Sequence, residues 1–332
     1  MEQRRKAACI SGGGMCKMKR FRSLIGFGRS IGDVGRLASA TCCDASICET
    51  EKTVSVIGSG GNARVYRTTA IKGNRECAVK IAKKGELYRT QFENEKRILK
   101  YLAASNCKVS PRLYSGSDNE IVMELISGYT LDKLDVRRYS ELEIKELFMC
   151  LCDALLELHG LNPPVIHRDI KPSNIMLDDK GNIRIIDYGT AKILECYGKE
   201  IPGAKKECAG VGTRGFAAPE QYGGFDEGIR TDIYQLGQTM EKCLNEVVVS
   251  SKFRESMDVI IQRCSSTCIG ERYAGAADIK LDILRLKAAK KRKCFIKFCE
   301  SFQEWNRKNR INTEKEAIFI DIVRTCDSIE FL

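Results

Sequence analysis

The chain has 332 residues, of which 43% are hydrophobic and 30% charged, and it carries a formal net charge of +11. That is an ordinary globular balance, and with no run of about 18 apolar residues it excludes a membrane-spanning helix. Arg4, Arg5 and Lys6 are followed by no apolar block of signal-peptide length, so a cytoplasmic protein is expected.

The positive charge is uneven. Residues 1–50 hold nine basic side chains against four acidic ones, and residues 285–310 hold ten against two. Basic ends suit an anionic partner, which could be anionic lipid, nucleic acid or an acidic protein; solvated tails are the alternative. The 17 cysteines run from Cys9 to Cys326 without a C-x-x-C pair. Reduced thiols acting as small core residues are expected, and no zinc site.

Residues 1–50 are rich in Gly, Ser, Cys and Arg and show no helical or strand period, which reads as a flexible leader. Strand patterns follow at Thr53–Ile57, Arg64–Arg67 and Cys77–Ile81. Gln91 to Leu102 has helical spacing, with Phe92, Glu95, Ile98, Leu99 and Leu102 near one face, and Ile121–Met123 is a further short strand. From Leu131 the pattern turns helical. Leu142 to His159 is strongly amphipathic through Ile144, Leu147, Leu151, Leu155 and Leu158, and residues 228–247, 252–264 and 276–290 contain three more helical candidates. The last part is basic at Lys290-Lys291-Arg292-Lys293 and then amphipathic. It could lie on an anionic membrane, pack on the body of the protein or bind a partner.

Two stretches carry chemistry. Gly58-Ser59-Gly60-Gly61-Asn62-Ala63 lies between two strands, and a glycine turn lets backbone N–H groups approach phosphate oxygens. Twenty residues past Gly60 stands Lys80. A lysine on a buried strand needs an anion, and Glu95 on the next helix is a candidate partner. The decisive stretch is His167-Arg168-Asp169-Ile170-Lys171-Pro172-Ser173-Asn174, followed by Asp187-Tyr188-Gly189. Carboxylates and an amide on adjacent loops can hold Mg²⁺ through hard oxygen ligands. A further carboxylate, Asp169, can accept a proton from an attacking hydroxyl. Phosphoryl transfer depends mostly on such positioning and charge neutralisation.

From Val54 to Arg285 the chain resembles the eukaryotic-type serine/threonine protein kinases, and its wording is most similar to bacterial members. The resemblance implies an α+β, bilobal fold, with a small β-rich N-lobe with one helix and a larger α-helical C-lobe. It places the domain at 51–290 (N-lobe 51–123, hinge 124–127, C-lobe 128–290), with a tail over 291–332. It implies ATP and Mg²⁺ (or Mn²⁺) as cofactors and a protein substrate, with no nucleic acid expected. By the same resemblance Lys80 pairs the α- and β-phosphates, Glu95 holds Lys80, Asp169 is the base, Lys171 neutralises the γ-phosphate, and Asn174 and Asp187 bind the metals. Ile57, Val65, Ala78 and Met176 sandwich the adenine behind a Met123 gatekeeper, with hinge backbone at Glu124 and Ile126. Gly58, Ser59, Gly60 and Gly61 cover the phosphates. Thr213 bonds Asp169 and Lys171, Glu220 pairs with Arg272, and Asp232 accepts backbone N–H bonds from the catalytic loop. The alternative is a nucleotide-binding scaffold on the same fold.

Departures from the family pattern are informative. Ala63 stands for a glycine and Tyr188 for a phenylalanine, both conservative. Arg168 marks kinases in which a phosphate on the following segment supplies an anion. Yet 191–212 holds no Ser or Thr, and Tyr197 is its one hydroxyl. Six residues before Thr213 stands Glu207, which is expected either to be a built-in anion for Arg168 or to be a solvated charge.

Overall fold

Runs of β-branched residues alternate with polar ones after position 54, and five strands form from them. The structure is a computed structural model that describes residues 55–59, 63–69, 76–83, 86–194, 212–223 and 227–288. The leader, the tail, Gly60, Gly61 and Glu207 lie outside these residues. Strands β1 (Ser55–Ser59), β2 (Ala63–Thr69) and β3 (Glu76–Ala82) precede helix α1 (Glu86–Ala104), and β4 (Leu113–Gly116) and β5 (Glu120–Glu124) follow it. They form one antiparallel sheet in the order β1-β2-β3-β5-β4. The register places Val65, Lys80 and Ile121 in one cross-strand row, and Ala78 opposite Met123 in a neighbouring one. Helix α1 buries Phe92, Ile98, Leu99 and Leu102, and Glu95 is buried in the same stripe.

The chain leaves β5 through residues 125–127 into β6 (Gly128–Thr130) and then α2 (Glu141–His159). Ser140 starts α2 with a capping box: its Oγ accepts from Glu143 N–H at 3.3 Å, and the Glu143 carboxylate accepts from Ser140 N–H at 2.8 Å. The five apolar residues named for α2 above are all buried. Short strands β7 (Val165–Ile166), β8 (Ile175–Asp178), β9 (Ile183–Ile185) and β10 (Lys192–Ile193) come next, paired as β6-β8-β9 and β7-β10. Helices α3 (Pro219–Gly223), α4 (Ile229–Leu244), α5 (Ser251–Cys264) and α6 (Ala276–Arg285) complete the larger lobe. Its core joins α2 to Ile233, Leu236 and Met240 of α4 and to Ile279 and Ile283 of α6. Gly237 lets α4 and α5 touch: a Cβ there would stand 2.5 Å from Ser265 Oγ and 2.7 Å from Cys264 Cβ. Cys150, Cys152, Cys243 and Cys264 are buried as free thiols.

The helical candidate within 276–290 is α6, which stops at Arg285, where Leu286 turns to an extended conformation (φ −67°, ψ 138°). Lys145 of α2 donates to the Leu284 carbonyl at 2.9 Å and to the Leu286 carbonyl. The terminal carbonyls are thus satisfied by a cation from a neighbouring helix, which ends α6 without a further turn.

Candidate active site

Lys80 stands on the central strand β3, flanked by β2 and β5. Its ammonium donates to Glu95 Oε2 at 2.5 Å and to Asp187 Oδ1 at 2.9 Å. Burial by itself would lower the Lys80 pKa; the two carboxylates outweigh it and hold the ammonium well above its ordinary range. Partial loss of water around the half-exposed Asp187 carboxylate opposes its charge, but Lys80 overcomes this and keeps Asp187 below the usual range. Burial pushes Glu95 upward, against the pull of Lys80. Glu95 is placed by the 3.6-residue period of α1, and Asn94 beside it donates to the carbonyls of Gly189 at 3.0 Å and Ala191 at 2.8 Å. Helix α1 is therefore fastened both to the sheet and to the segment that carries Asp187.

The loop between β7 and β8 carries the second group. Asp169 Oδ1 accepts from Thr213 Oγ1 at 2.7 Å, and Oδ2 from Asn174 Nδ2 at 2.9 Å. Lys171 Nζ lies 2.8 Å from Asp169 Oδ2 and donates to Thr213 Oγ1 at 2.6 Å. The Asn174 amide also donates to the Asp169 carbonyl at 3.0 Å. Both amide hydrogens are thus used within the loop, and Oδ1 is the atom left to face a cation. Asp187 presents its second oxygen beside the one that meets Lys80, and its side chain is half-exposed. A carboxylate and an amide oxygen are hard donors, which suit Mg²⁺ or Mn²⁺ and not a thiophilic ion.

Helix α4 holds this loop from beneath with a buried polar stripe at i, i+3 and i+7. Asp232 Oδ2 and Oδ1 accept from the N–H groups of His167 and Arg168, each at 2.8 Å. Gln235 Oε1 accepts from Ile170 N–H at 2.7 Å, and Thr239 Oγ1 donates to the Ile170 carbonyl at 3.3 Å. His159, the last residue of α2, meets Asp232 Oδ2 through Nε2 at 2.9 Å. His167 Nε2 is 3.1 Å from the Ile186 carbonyl, and since a carbonyl only accepts, that nitrogen carries the proton. Desolvation acts against the Asp232 charge, but the hydrogen bond from His159 leads the groups that hold its pKa down.

The substrate-side segment begins at Gly212, whose φ of 146° and close approach to Ala217 leave no room for a side chain. It ends at Glu220, which receives two parallel bonds from Arg272, 2.7 Å from Nη1 and 2.9 Å from Nη2. Arg272 and Glu220 are almost fully buried, and Arg272 further donates to the carbonyls of Arg230 and Ser266.

On the smaller lobe, Ile57, Gly58 and Ser59 end β1, Val65 is half-buried, and Ala78 and Met123 are buried as cross-strand neighbours. Met176 of β8 lies opposite Thr130. Glu124 closes β5, and its carboxylate accepts from Arg184 of β9 at 2.6 and 3.1 Å; burial opposes its charge, and Arg184 draws the pKa down. Ile126 follows in the connection to β6.

Among described residues, the guanidinium of Arg168 meets Glu227, which the sequence reading did not single out. Gln221, Gln235, Thr239 and Asn94 were also missed. Asp232, Gln235 and Thr239, spaced i, i+3 and i+7 along one face of a helical segment, were the available signal for two of them.

The comparisons agree on one family. The family model described as the protein kinase domain matches residues 52–318. Serine/threonine-protein kinase D of Synechocystis sp. is 32% identical over 214 residues, 59% of this chain and 41% of that protein. Serine/threonine-protein kinase A of the same organism is 31% identical over 212 residues, 58% of this chain and 39% of that protein. A probable serine/threonine-protein kinase PknB of Corynebacterium glutamicum is 29% identical over 199 residues, 56% of this chain and 30% of that protein. The chain thus spans less than half the length of these relatives. With its two lobes, its Lys80–Glu95 pair and its Asp169 loop, the chain belongs to the protein kinase family.

Proposed function

We propose that the chain is an ATP-dependent serine/threonine protein kinase, transferring the γ-phosphate of Mg-ATP to protein hydroxyls, its own among them. One observation carries this reading: Lys80 is paired with Glu95 and Asp187 while Asp169 is joined to Lys171, Thr213 and Asn174 in the same chain. Nothing among the described residues favours the nucleotide-binding scaffold.

In this reading the adenine lies between Ile57, Val65 and Ala78 above and Met176 below, against Met123, with the backbone of Glu124 and Ile126 as its polar edge. Gly58, Ser59, Gly60 and Gly61 cover the phosphates, and Lys80 fixes the α- and β-phosphates. Asn174 and Asp187 would hold Mg²⁺, which would offset the charge of the phosphate chain. Thr213 and Lys171 orient Asp169, whose carboxylate takes the proton of the incoming Ser or Thr hydroxyl. The hydroxyl oxygen forms a bond to the γ-phosphorus, the bond to the β–γ bridging oxygen breaks, and ADP leaves. Lys171 balances charge on the moving phosphoryl group.

Serine and threonine are favoured by the Lys171-Pro172 wording and by the relatives, which are serine/threonine-protein kinases by name. The proposed site of action is the cytoplasm, where ATP is at hand as the donor. Membrane contact through the basic tail remains part of the proposal; full-length chain co-sedimenting with anionic liposomes, and a chain truncated at Leu286 failing to, would support it.

The test is transfer from γ-labelled Mg-ATP to the chain and to a generic basic protein, followed by phosphoamino-acid analysis. Label on Ser or Thr, abolished by EDTA and restored by Mg²⁺ or Mn²⁺, is the expected result. Label on tyrosine alone, or none despite ATP binding, contradicts the proposal.

A further inference from the structure

Arg168 immediately precedes the proposed base Asp169, and its backbone is in the left-handed region at φ 68°. A non-glycine residue keeps such a conformation only where its surroundings over-determine it. Here they do. Its N–H donates to Asp232 Oδ1 at 2.8 Å. Its carbonyl accepts from Gln235 Nε2 at 2.7 Å and from Gln221 Nε2 at 2.9 Å, and these two glutamines bond each other at 2.8 Å. Its guanidinium donates from Nη2 to Glu227 Oε1 at 3.0 Å and sets Nε against Oε2. The two side chains are 6% and 11% exposed, so this is a buried, two-point ion pair.

These partners sit on α3, on α4 and on the residue just before the α4 N-cap Gly228. A carboxylate there also faces the favourable end of the α4 dipole. The segment expected to supply a phosphate to Arg168 holds no Ser or Thr from 191 to 212.

We propose that Glu227 is the resident anion of Arg168 and a positioning residue for Asp169, so that turnover requires no phosphate on residues 191–212. The inference rests on the kinase reading. It assigns to Glu227 the role that the sequence alone suggested for Glu207. The mechanism is mechanical: the pair ties the guanidinium to the start of α4 while Asp232 and Gln235 tie the backbone. Loss of the charge at Glu227 frees one side of a strained residue, and the carboxylate one position on is displaced.

The experiment uses the full chain, co-expressed with a phosphatase and shown phosphate-free by intact mass. Initial rates on a generic protein substrate are measured for wild type, Glu227→Gln, Glu227→Asp and Glu207→Gln. Wild type is expected to turn over without a lag. Glu227→Gln is expected to lose kcat by roughly ten- to a hundredfold, the cost of a small misplacement at the reacting centre, with KM for ATP unchanged. Glu227→Asp, which keeps the charge, is expected to recover most of that loss and decides the case in which the Gln variant fails to fold. Glu207→Gln is expected to behave as wild type.

A wild-type lag that disappears after preincubation with ATP overturns the proposal, and so does a Glu227→Gln variant as fast as wild type. A loss carried by Glu207→Gln instead moves the role back to Glu207 and overturns it as well. A wild type that transfers no phosphate fails at the earlier step, the kinase reading itself.

Discussion

Replacing Arg272 by leucine removes one member of a buried ion pair and leaves the other in place. The wild-type guanidinium makes four hydrogen bonds, two to Glu220, one to the Arg230 carbonyl and one to the Ser266 carbonyl. In the variant, Glu220 stays buried with the Thr231 hydroxyl at 2.9 Å as its remaining side-chain partner. Breaking a buried pair this way costs about 3–5 kcal/mol. For a unit of this size that corresponds to a fall in Tm of roughly 10 °C. The pH dependence gives a second signature. In wild type, burial opposes the Glu220 charge and Arg272 overcomes it, so the folded pKa is depressed. That stability is present above the unfolded carboxylate value and is lost as pH falls through the folded one. In Arg272→Leu the same carboxylate is buried without its cation, so protonation relieves it, and the deficit against wild type shrinks as the solution is acidified. The double variant Glu220→Gln/Arg272→Leu is expected to recover part of the loss, since no uncompensated charge remains. Thermal unfolding followed by circular dichroism at pH 7.5 and pH 5 reads all three. A Tm within about 2 °C of wild type for Arg272→Leu, less than 1 kcal/mol at this size, would refute the assignment of the pair as a main brace between the substrate-side segment and the α5–α6 connection.

Tyr188→Phe deletes a hydroxyl that is buried without a hydrogen-bond partner, so Tm is expected to hold or rise by a few degrees, on the order of 1 kcal/mol; a clear fall in a melting curve would contradict this. Gly237→Ala forces a methyl against Cys264 and Ser265 and is expected to cost about 1–3 kcal/mol by overpacking, readable in a urea titration. An unchanged midpoint would show that α4 and α5 can separate freely. The Lys80 pKa lies above its ordinary value and that of Asp187 below, so both keep their charges between about pH 6 and 9. The Kd for ATP, measured calorimetrically, is expected to be flat over that window once the titration of ATP itself is accounted for. A loss of affinity above pH 8 would place a neutral Lys80 in the site.

The two-lobe architecture was readable in the sequence wherever an element was long enough to show its period. The stripes of α1 and α2 are placed by residues that all turn out to be buried, Glu95 included. Elements of two to four residues, such as β6, β7 and β10, have no period to read, because their place is set by partners far along the chain. The site divides in the same way. Lys80, Asp169, Asn174 and Asp187 stand out because their order and spacing along the chain resemble those of the protein kinases, whereas each alone would pass for a surface charge or amide. Glu227 does not, since one more acidic residue before a helix resembles a cap. Only the fold brings it to Arg168, 59 positions away. Gln235 and Gln221 are similar: an amide on a helix face is unremarkable until a loop carbonyl is laid against it.

The central claim is that the Asp169 carboxylate serves phosphate transfer in a chain that binds Mg-ATP. Its most direct test is the kcat of wild type against Asp169→Asn, each at saturating Mg-ATP, with nucleotide affinity measured in parallel. Asparagine keeps the size of the group and its bond to Thr213 but cannot take a proton. The account predicts a fall in kcat of about 10²–10⁴-fold, the usual worth of a positioned general base, with ATP affinity preserved. Equal turnover in the two proteins would contradict it.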